Sequence, residues 1–208
     1  MRLCRFEYRG ERSLGFYRDD HVLPLTAFAS QLGDRAVTSE SLLPLLPGGE
    51  LRAAVRTLQS EIEQATPAQV SQWAVPVGDV RLLTPIAPPG KLMLLAGNYS
   101  RHIEEQGGAA RERDETFPYL FMKPLTTLVG PGDPIRIPAH SPHEIDWEIE
   151  LGVIIGKTTK NVSEADALDH VAGYTVVNDI SGSGVSSQPA AGRTAEGRLL
   201  RLATRKVA

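Results

Sequence analysis

Residues 145–156 read I-D-W-E-I-E-L-G-V-I-I-G. Side chains along a strand point alternately to its two sides, so Asp146, Glu148 and Glu150 share one face while Trp147, Ile149, Leu151 and Val153 share the other. Three carboxylates on one face repel one another, and no Lys or Arg stands between Asp146 and Gly156 to neutralise them locally. Two arrangements relieve the repulsion. Either a divalent cation sits among the carboxylates, or the strand lies at a sheet edge and turns its charged face to water. On this stretch alone both stay open.

Working outward, residues 176–179 read V-V-N-D, an apolar strand ending in two polar residues, which puts Asp179 at a sheet rim where it can join Glu148 and Glu150. Three carboxylate oxygens with open positions for water and substrate suit a hard cation, Mg²⁺ or Mn²⁺, rather than Zn²⁺, which favours His and Cys. The single cysteine excludes an iron–sulfur cluster. His140 and His143 flank Pro142 and read as an exposed turn rather than as ligands. Upstream, residues 97–105 read G-N-Y-S-R-H-I-E-E, a turn followed by a helix-compatible run. There His102 and Glu105 stand three apart and can meet on one helix face, where a carboxylate would orient the imidazole and raise its basicity; Glu104 points elsewhere. The alternative is a solvated surface pair. Lys123, in F-M-K-P at residues 121–124, ends an aromatic strand and is placed either to bind a substrate carboxylate or to reach out to solvent. The turn-rich V-G-P-G-D-P-I-R-I at 129–137 needs no functional reading.

The 41% hydrophobic and 23% charged composition is that of a globular protein able to bury a core. A net charge of −3 and a pI near 6.0 argue against a general nucleic-acid binder. No apolar run approaches the roughly 18 residues that cross a bilayer, and M-R-L-C-R-F-E-Y has no signal-peptide core, so a cytoplasmic, reducing compartment is expected. Cys4, in the first strand beside Leu3 and Phe6, reads as a packed thiol. The fold class is α+β. Residues 1–83 form a small N-terminal α+β domain: a strand meander over 2–25, a short helix over 25–32, and an amphipathic helix over 49–64 with Leu51, Val55, Leu58 and Ile62 on one face and Pro67 closing it. Residues 84–90, T-P-I-A-P-P-G, are a Pro-rich linker; 91–180 form a β-rich domain. Residues 181–208 carry five basic residues against one glutamate and no aromatic, and read as a basic, disordered tail.

Taken in order, G-N-Y-S-R-H-I-E-E, P-Y-L-F-M-K-P, V-G-P-G-D-P-I-R-I-P, D-W-E-I-E-L-G-V-I-I-G-K and A-G-Y-T-V-V-N-D-I-S closely resemble the motifs of the fumarylacetoacetate hydrolase family. The resemblance implies a β-rich mixed sandwich roll, Mg²⁺ or Mn²⁺ held by Glu148, Glu150 and Asp179, His102 with Glu105 as the proton-abstracting pair, Lys123 beside the substrate, and a homodimer. It implies hydrolysis of C–C bonds in small oxo-acids of the acylpyruvate type, as in aromatic-compound catabolism, with oxaloacetate decarboxylation or hydroxy-dienedioate isomerisation as alternatives. After N-D-I-S the chain departs from the family pattern. Roughly 80 to 100 further residues would complete such a domain. The expectation is therefore a chain truncated or frameshifted after about residue 180, with an uncovered apolar face around Ile149, Leu151 and Val153 and doubtful turnover. A different class of reading is an inactive subunit or a pseudogene product.

Overall fold

The computed structural model describes residues 1–33, 39–96, 99, 119–139 and 143–182. The chain opens with a hairpin of β1 (Leu3–Tyr8) and β2 (Glu11–Tyr17), paired from Leu3↔Phe16 to Tyr8↔Glu11. Its two-residue turn is Arg9-Gly10, both at positive φ (53° and 84°), the conformation whose twist matches that of the flanking strands. Strand β3 (His21–Pro24) continues the meander, β4 (Val75–Pro76) adds beyond it, and β5 (Arg81–Leu83) closes the other side, giving the order β4-β3-β2-β1-β5. Phe6, Phe16, Leu14, Val22, Leu23 and Leu25 are buried in this module. Arg5 is buried with them because its guanidinium donates to two backbone carbonyls, Glu40 O at 2.6 Å and Thr84 O at 2.8 Å.

The helices cover the sheet as the apolar spacing predicts. After a short α1 (Ala29–Leu32), α2 (Arg52–Gln64) buries Val55, Leu58 and Ile62 against Phe28, Leu32, Leu42 and Leu45, with Leu51 packed at its start. One expectation is corrected here. Pro67 does not merely end α2; it is the first residue of a further helix, α3 (Pro67–Trp73). Thr66 caps it by accepting from the Gln69 N–H while Gln69 Oε1 accepts from the Thr66 N–H, a reciprocal capping box legible as T-P-A-Q. Trp73 then meets Phe28 edge-on at 5.0 Å. Ile86, inside the Pro-rich 84–90 stretch, packs onto the same core.

Beyond these, the described residues form strands and short 3-10 turns. Contacts divide the chain into one unit comprising Met1–Ala87 and the chain from Val129 onward, and a second, Pro88–Leu128. The second unit contains the antiparallel pair β6 (Met93–Ala96) and β7 (Tyr119–Met122), with the Lys123 N–H donating to Leu92 O. In the first unit, β8 (Ile145–Asp146) and β9 (Ile149–Ile155) pair antiparallel with β11 (Ser181–Gly182) and β10 (Val171–Asn178) respectively. The α+β class read from the sequence is the class observed.

Candidate metal centre

The two short ladders are one ribbon. Asp146 pairs with Ser181 and Ile149 with Asn178, so the same register sets Glu148 across from Asp179, and the Asp179 N–H donates to Glu148 O at 2.8 Å between the two ladders. Glu150 lies two residues along β9, on the same face as Glu148 and diagonal to Asp179. Opposite Glu150 stands Val177. Gly152 follows on that face, and a Cβ there would lie 2.9 Å from the methyls of both Thr175 and Val177. Glycine at 152 leaves the space that those two methyls occupy.

One carboxylate oxygen each from Glu148, Glu150 and Asp179 lie within 4.8 Å of one another. Glu148 and Glu150 are half-buried, and Asp179 is 2% exposed. Two oxygens bound to one ion at about 2.1–2.4 Å stand no more than about 4.8 Å apart, so the trio has the spacing of a shared hard-cation site, and its all-oxygen donor set is of the matching type. Asp146, on the same face by alternation, is exposed, and its Oδ1 accepts from the Trp147 N–H instead.

The solvated-edge alternative assumed that the acidic face meets water. The structure has it the other way round: the carboxylate side is the covered one, while Trp147, Ile149, Leu151, Val153, Tyr174 and Val176 are exposed, Ile149 by 70% and Val176 by 73%. The expected uncovered face around Ile149, Leu151 and Val153 is thus observed.

Lys123 follows β7 in the second unit and is 7% exposed. His143 is exposed in a turn, as read. His102, Glu105, Glu104 and His140 lie outside the described residues. Sequence reasoning missed two features, one beside the carboxylates and one on the segment upstream of them. Gly152 carries a signal, a glycine inside a strand pattern, that marks close side-chain approach. Asp133 is the other: it accepts from Arg81 Nη2 at 2.8 Å and from the Gly130 N–H at 2.8 Å, and these hold its carboxyl below the usual carboxylate range. That tie gives the 129–137 turn a role that its turn chemistry alone did not suggest.

Among known proteins, residues 91–198 match the family model described as fumarylacetoacetate (FAA) hydrolase C-terminal, and residues 1–85 match one described as Rv2993c-like, N-terminal. The mitochondrial oxaloacetate tautomerase of Xenopus laevis is 36% identical over 171 residues, which is 82% of this chain and 52% of that protein. The 2,4-didehydro-3-deoxy-L-rhamnonate hydrolase of a Sphingomonas species is 32% identical over 87% of this chain and 53% of its own length. The crystal structure of maleylpyruvate hydrolase from Sphingobium sp. SYK-6 in complex with manganese (II) ion and pyruvate superposes with a TM-score of 0.59 at 28% identity, covering 88% of this chain and 60% of that one. The chain spans about half the length of the curated relatives it matches. With the family's C-terminal model matched over more than half of its residues, and a carboxylate trio on the ribbon inside that match, the chain belongs to the fumarylacetoacetate hydrolase family.

Proposed function

We propose that this chain is a divalent-metal-dependent enzyme that cleaves C–C bonds in small oxo-acids of the acylpyruvate type. The observation that carries the reading is the spacing of the Glu148, Glu150 and Asp179 carboxylates within 4.8 Å on one covered face. These three residues would hold Mg²⁺ or Mn²⁺, and the manganese in the maleylpyruvate hydrolase structure supports the choice of ion class. When bound, the ion supplies Lewis-acid stabilisation of the negative charge that develops on a 2-oxo-acid. The chain's own residues do the rest. His102, oriented by Glu105, takes a proton from water or substrate, and Lys123 pairs with a substrate carboxylate. The ends of the two family models at residues 85 and 91 support a division into an N-terminal module and a catalytic module at the 84–90 linker. We place the active form as a homodimer in a reducing compartment.

A second reading has support of its own. The Xenopus laevis relative is named an oxaloacetate tautomerase, and tautomerisation is a proton-transfer chemistry that needs a base but no attacking water. A substrate panel decides between them: maleylpyruvate and other acylpyruvates, oxaloacetate and hydroxy-dienedioates, each with Mn²⁺ and with Mg²⁺. Release of pyruvate from an acylpyruvate supports the hydrolase. Enol–keto conversion of oxaloacetate without cleavage of any acylpyruvate supports the tautomerase, and calorimetry showing no Mn²⁺ or Mg²⁺ binding would remove the metal-dependent hydrolase.

A further inference from the structure

A two-stranded ribbon on its own is marginally stable, and this one leaves an apolar face in water. Its geometry must therefore be set where it touches a packed core. One such place is the end remote from the carboxylates. There the register slips: Val171 pairs with Ile155 and Gly173 with Ile154, leaving Ala172 as an extra, bulged residue that is 6% exposed. The Gly156 N–H donates to His170 O at 3.0 Å beside it. A Cβ on Gly156 would stand 2.5 Å from the Ala172 methyl and 3.1 Å from Pro47 O, and one on Gly48 would stand 3.2 Å from Lys157 Cγ. Gly156 is not at positive φ, so the demand for glycine there comes from space and not from backbone conformation. The turn that fills this space is itself fixed. Leu45 is fully buried, the Gly49 N–H donates to Leu46 O, and the Leu51 N–H donates to Pro44 O, both at 2.8 Å.

A second contact lies upstream of β8. Arg81 on β5 binds Asp133 at 2.8 Å and lies 3.6 Å from Glu7 on β1, and a Cβ on Gly130 would lie 3.5 Å from Thr84 N and 3.7 Å from Leu82 O. The N-terminal module thus holds the chain both before and after the strand that carries Glu148 and Glu150.

We infer that the N-terminal module is the positioning element of the metal centre: its Pro47–Gly49 turn seats the ribbon through Gly156 and Ala172, and Arg81 anchors the segment leading into it. This rests on the metal reading of Glu148, Glu150 and Asp179. The seat acts at a distance, since Gly156 is six residues beyond Glu150, about 20 Å at the rise of a strand. Gly156, Ala172 and Arg81 are therefore positioning residues, acting on the ion only through the ribbon.

The test uses the full chain. Mn²⁺ affinity is measured by calorimetry, and backbone hydrogen exchange is followed in Glu150–Leu151 and Val176–Asn178, with Trp73 fluorescence, read in a Trp147→Phe background because Trp147 lies on the ribbon, reporting the packing of the N-terminal module. Gly156→Ala is expected to weaken Mn²⁺ binding at least tenfold and to speed exchange at both ribbon segments, leaving Trp73 unchanged. Ala172→Gly added to Gly156→Ala removes the 2.5 Å conflict but leaves the 3.1 Å approach to Pro47 O, and should restore both readouts in part. Gly78→Ala, where a new Cβ meets nothing within 4 Å, should leave both as in wild type. A folded Gly156→Ala chain with wild-type affinity and exchange overturns the inference. Should Gly156→Ala fail to fold, Arg81→Gln takes its place, with an expected threefold or greater loss of affinity that Arg81→Lys recovers; no loss overturns the inference. If wild type takes up no Mn²⁺ the metal reading fails on its own, and the exchange measurement still decides whether the seat orders the ribbon.

Discussion

Replacing Glu150 by glutamine should stabilise the protein without metal and remove its response to metal. The three carboxylate oxygens lie within 4.8 Å of one another, so Glu150 takes part in two of the three repulsive pairs. At that separation each pair costs about 1 kcal/mol in water-like surroundings and about 3 kcal/mol at the effective dielectric near 20 that holds for partly covered sites. Glu148 and Glu150 are half-buried, which puts the site between these limits. Two pairs relieved amount to at least about 2 kcal/mol, or about 4–8 °C in melting temperature for a chain of this size. Metal acts in the opposite sense. At a hundredfold excess over Kd, an ion that binds only the folded state adds about 2.7 kcal/mol, or about 5–10 °C, to wild type and nothing to a variant that no longer holds it. Scanning calorimetry of wild type, Glu150→Gln and an exposed control, Glu11→Gln, with and without Mn²⁺, reads both effects. Wild type and Glu11→Gln should rise together with Mn²⁺, whereas Glu150→Gln should start higher and stay within 1 °C. A metal-free Glu150→Gln chain that melts at or below wild type would refute the repulsion reasoning. A Mn²⁺-dependent rise equal to that of wild type would refute the ligand assignment.

Other consequences are independent of the metal. Leu58 is 2% exposed in the centre of α2, and Leu58→Ala should cost about 2–5 kcal/mol, read as a lower urea midpoint at unchanged slope. The Cys4 thiol is pushed up to about 12 by burial, so iodoacetamide at pH 8 should leave it unlabelled in the native protein and label it fully in urea; rapid native labelling would contradict the packing of β1. Asp133 is held below the usual carboxylate range first by the Arg81 hydrogen bond and then by the Gly130 N–H. A depressed folded value contributes stability that is present above the unfolded carboxyl range, near pH 4, and is lost as pH falls through the folded value. The melting-temperature advantage of wild type over Asp133→Asn should therefore be constant between pH 5 and 6 and shrink progressively as pH is lowered below about 4.

Much of the fold was legible because its signals are local. Alternation over 145–155 placed Glu148 and Glu150 on one face, the polar end of V-V-N-D placed Asp179 at the end of a strand, and the spacing of Val55, Leu58 and Ile62 gave the buried side of α2. The T-P-A-Q start of α3 is equally local, since a proline after a helix marks the first turn of a second helix as well as the stop of the first. What could not be read locally joins residues far apart in the chain. Arg5 reaches Glu40 and Thr84, Arg81 reaches Asp133 fifty-two residues on, and Gly156 meets Pro47. In each case one partner is a backbone carbonyl or a residue inside a turn, which composition and periodicity do not mark.

Alternation assigns two faces to a strand but not which of them is covered, and here the usual expectation fails. The acidic side of the 145–155 ribbon is the covered one and the apolar side is exposed, so apolar burial contributes little to holding this ribbon, while carboxylate repulsion works against it. Among the described residues, order comes from the seat at Gly156 and Ala172, from the Arg81–Asp133 tie upstream, and from the ladder hydrogen bonds, including the one from Asp179 to Glu148. A cation among the carboxylates would add another, turning the repulsion into ligation, so that binding energy becomes folding energy for this segment. The N-terminal module, with Phe6, Phe16, Leu45 and Val55 buried in its interior, needs no such help. The same chain thus carries a module whose order comes from its core and a ribbon for which the proposed seat and the proposed metal would supply the order that a core does not.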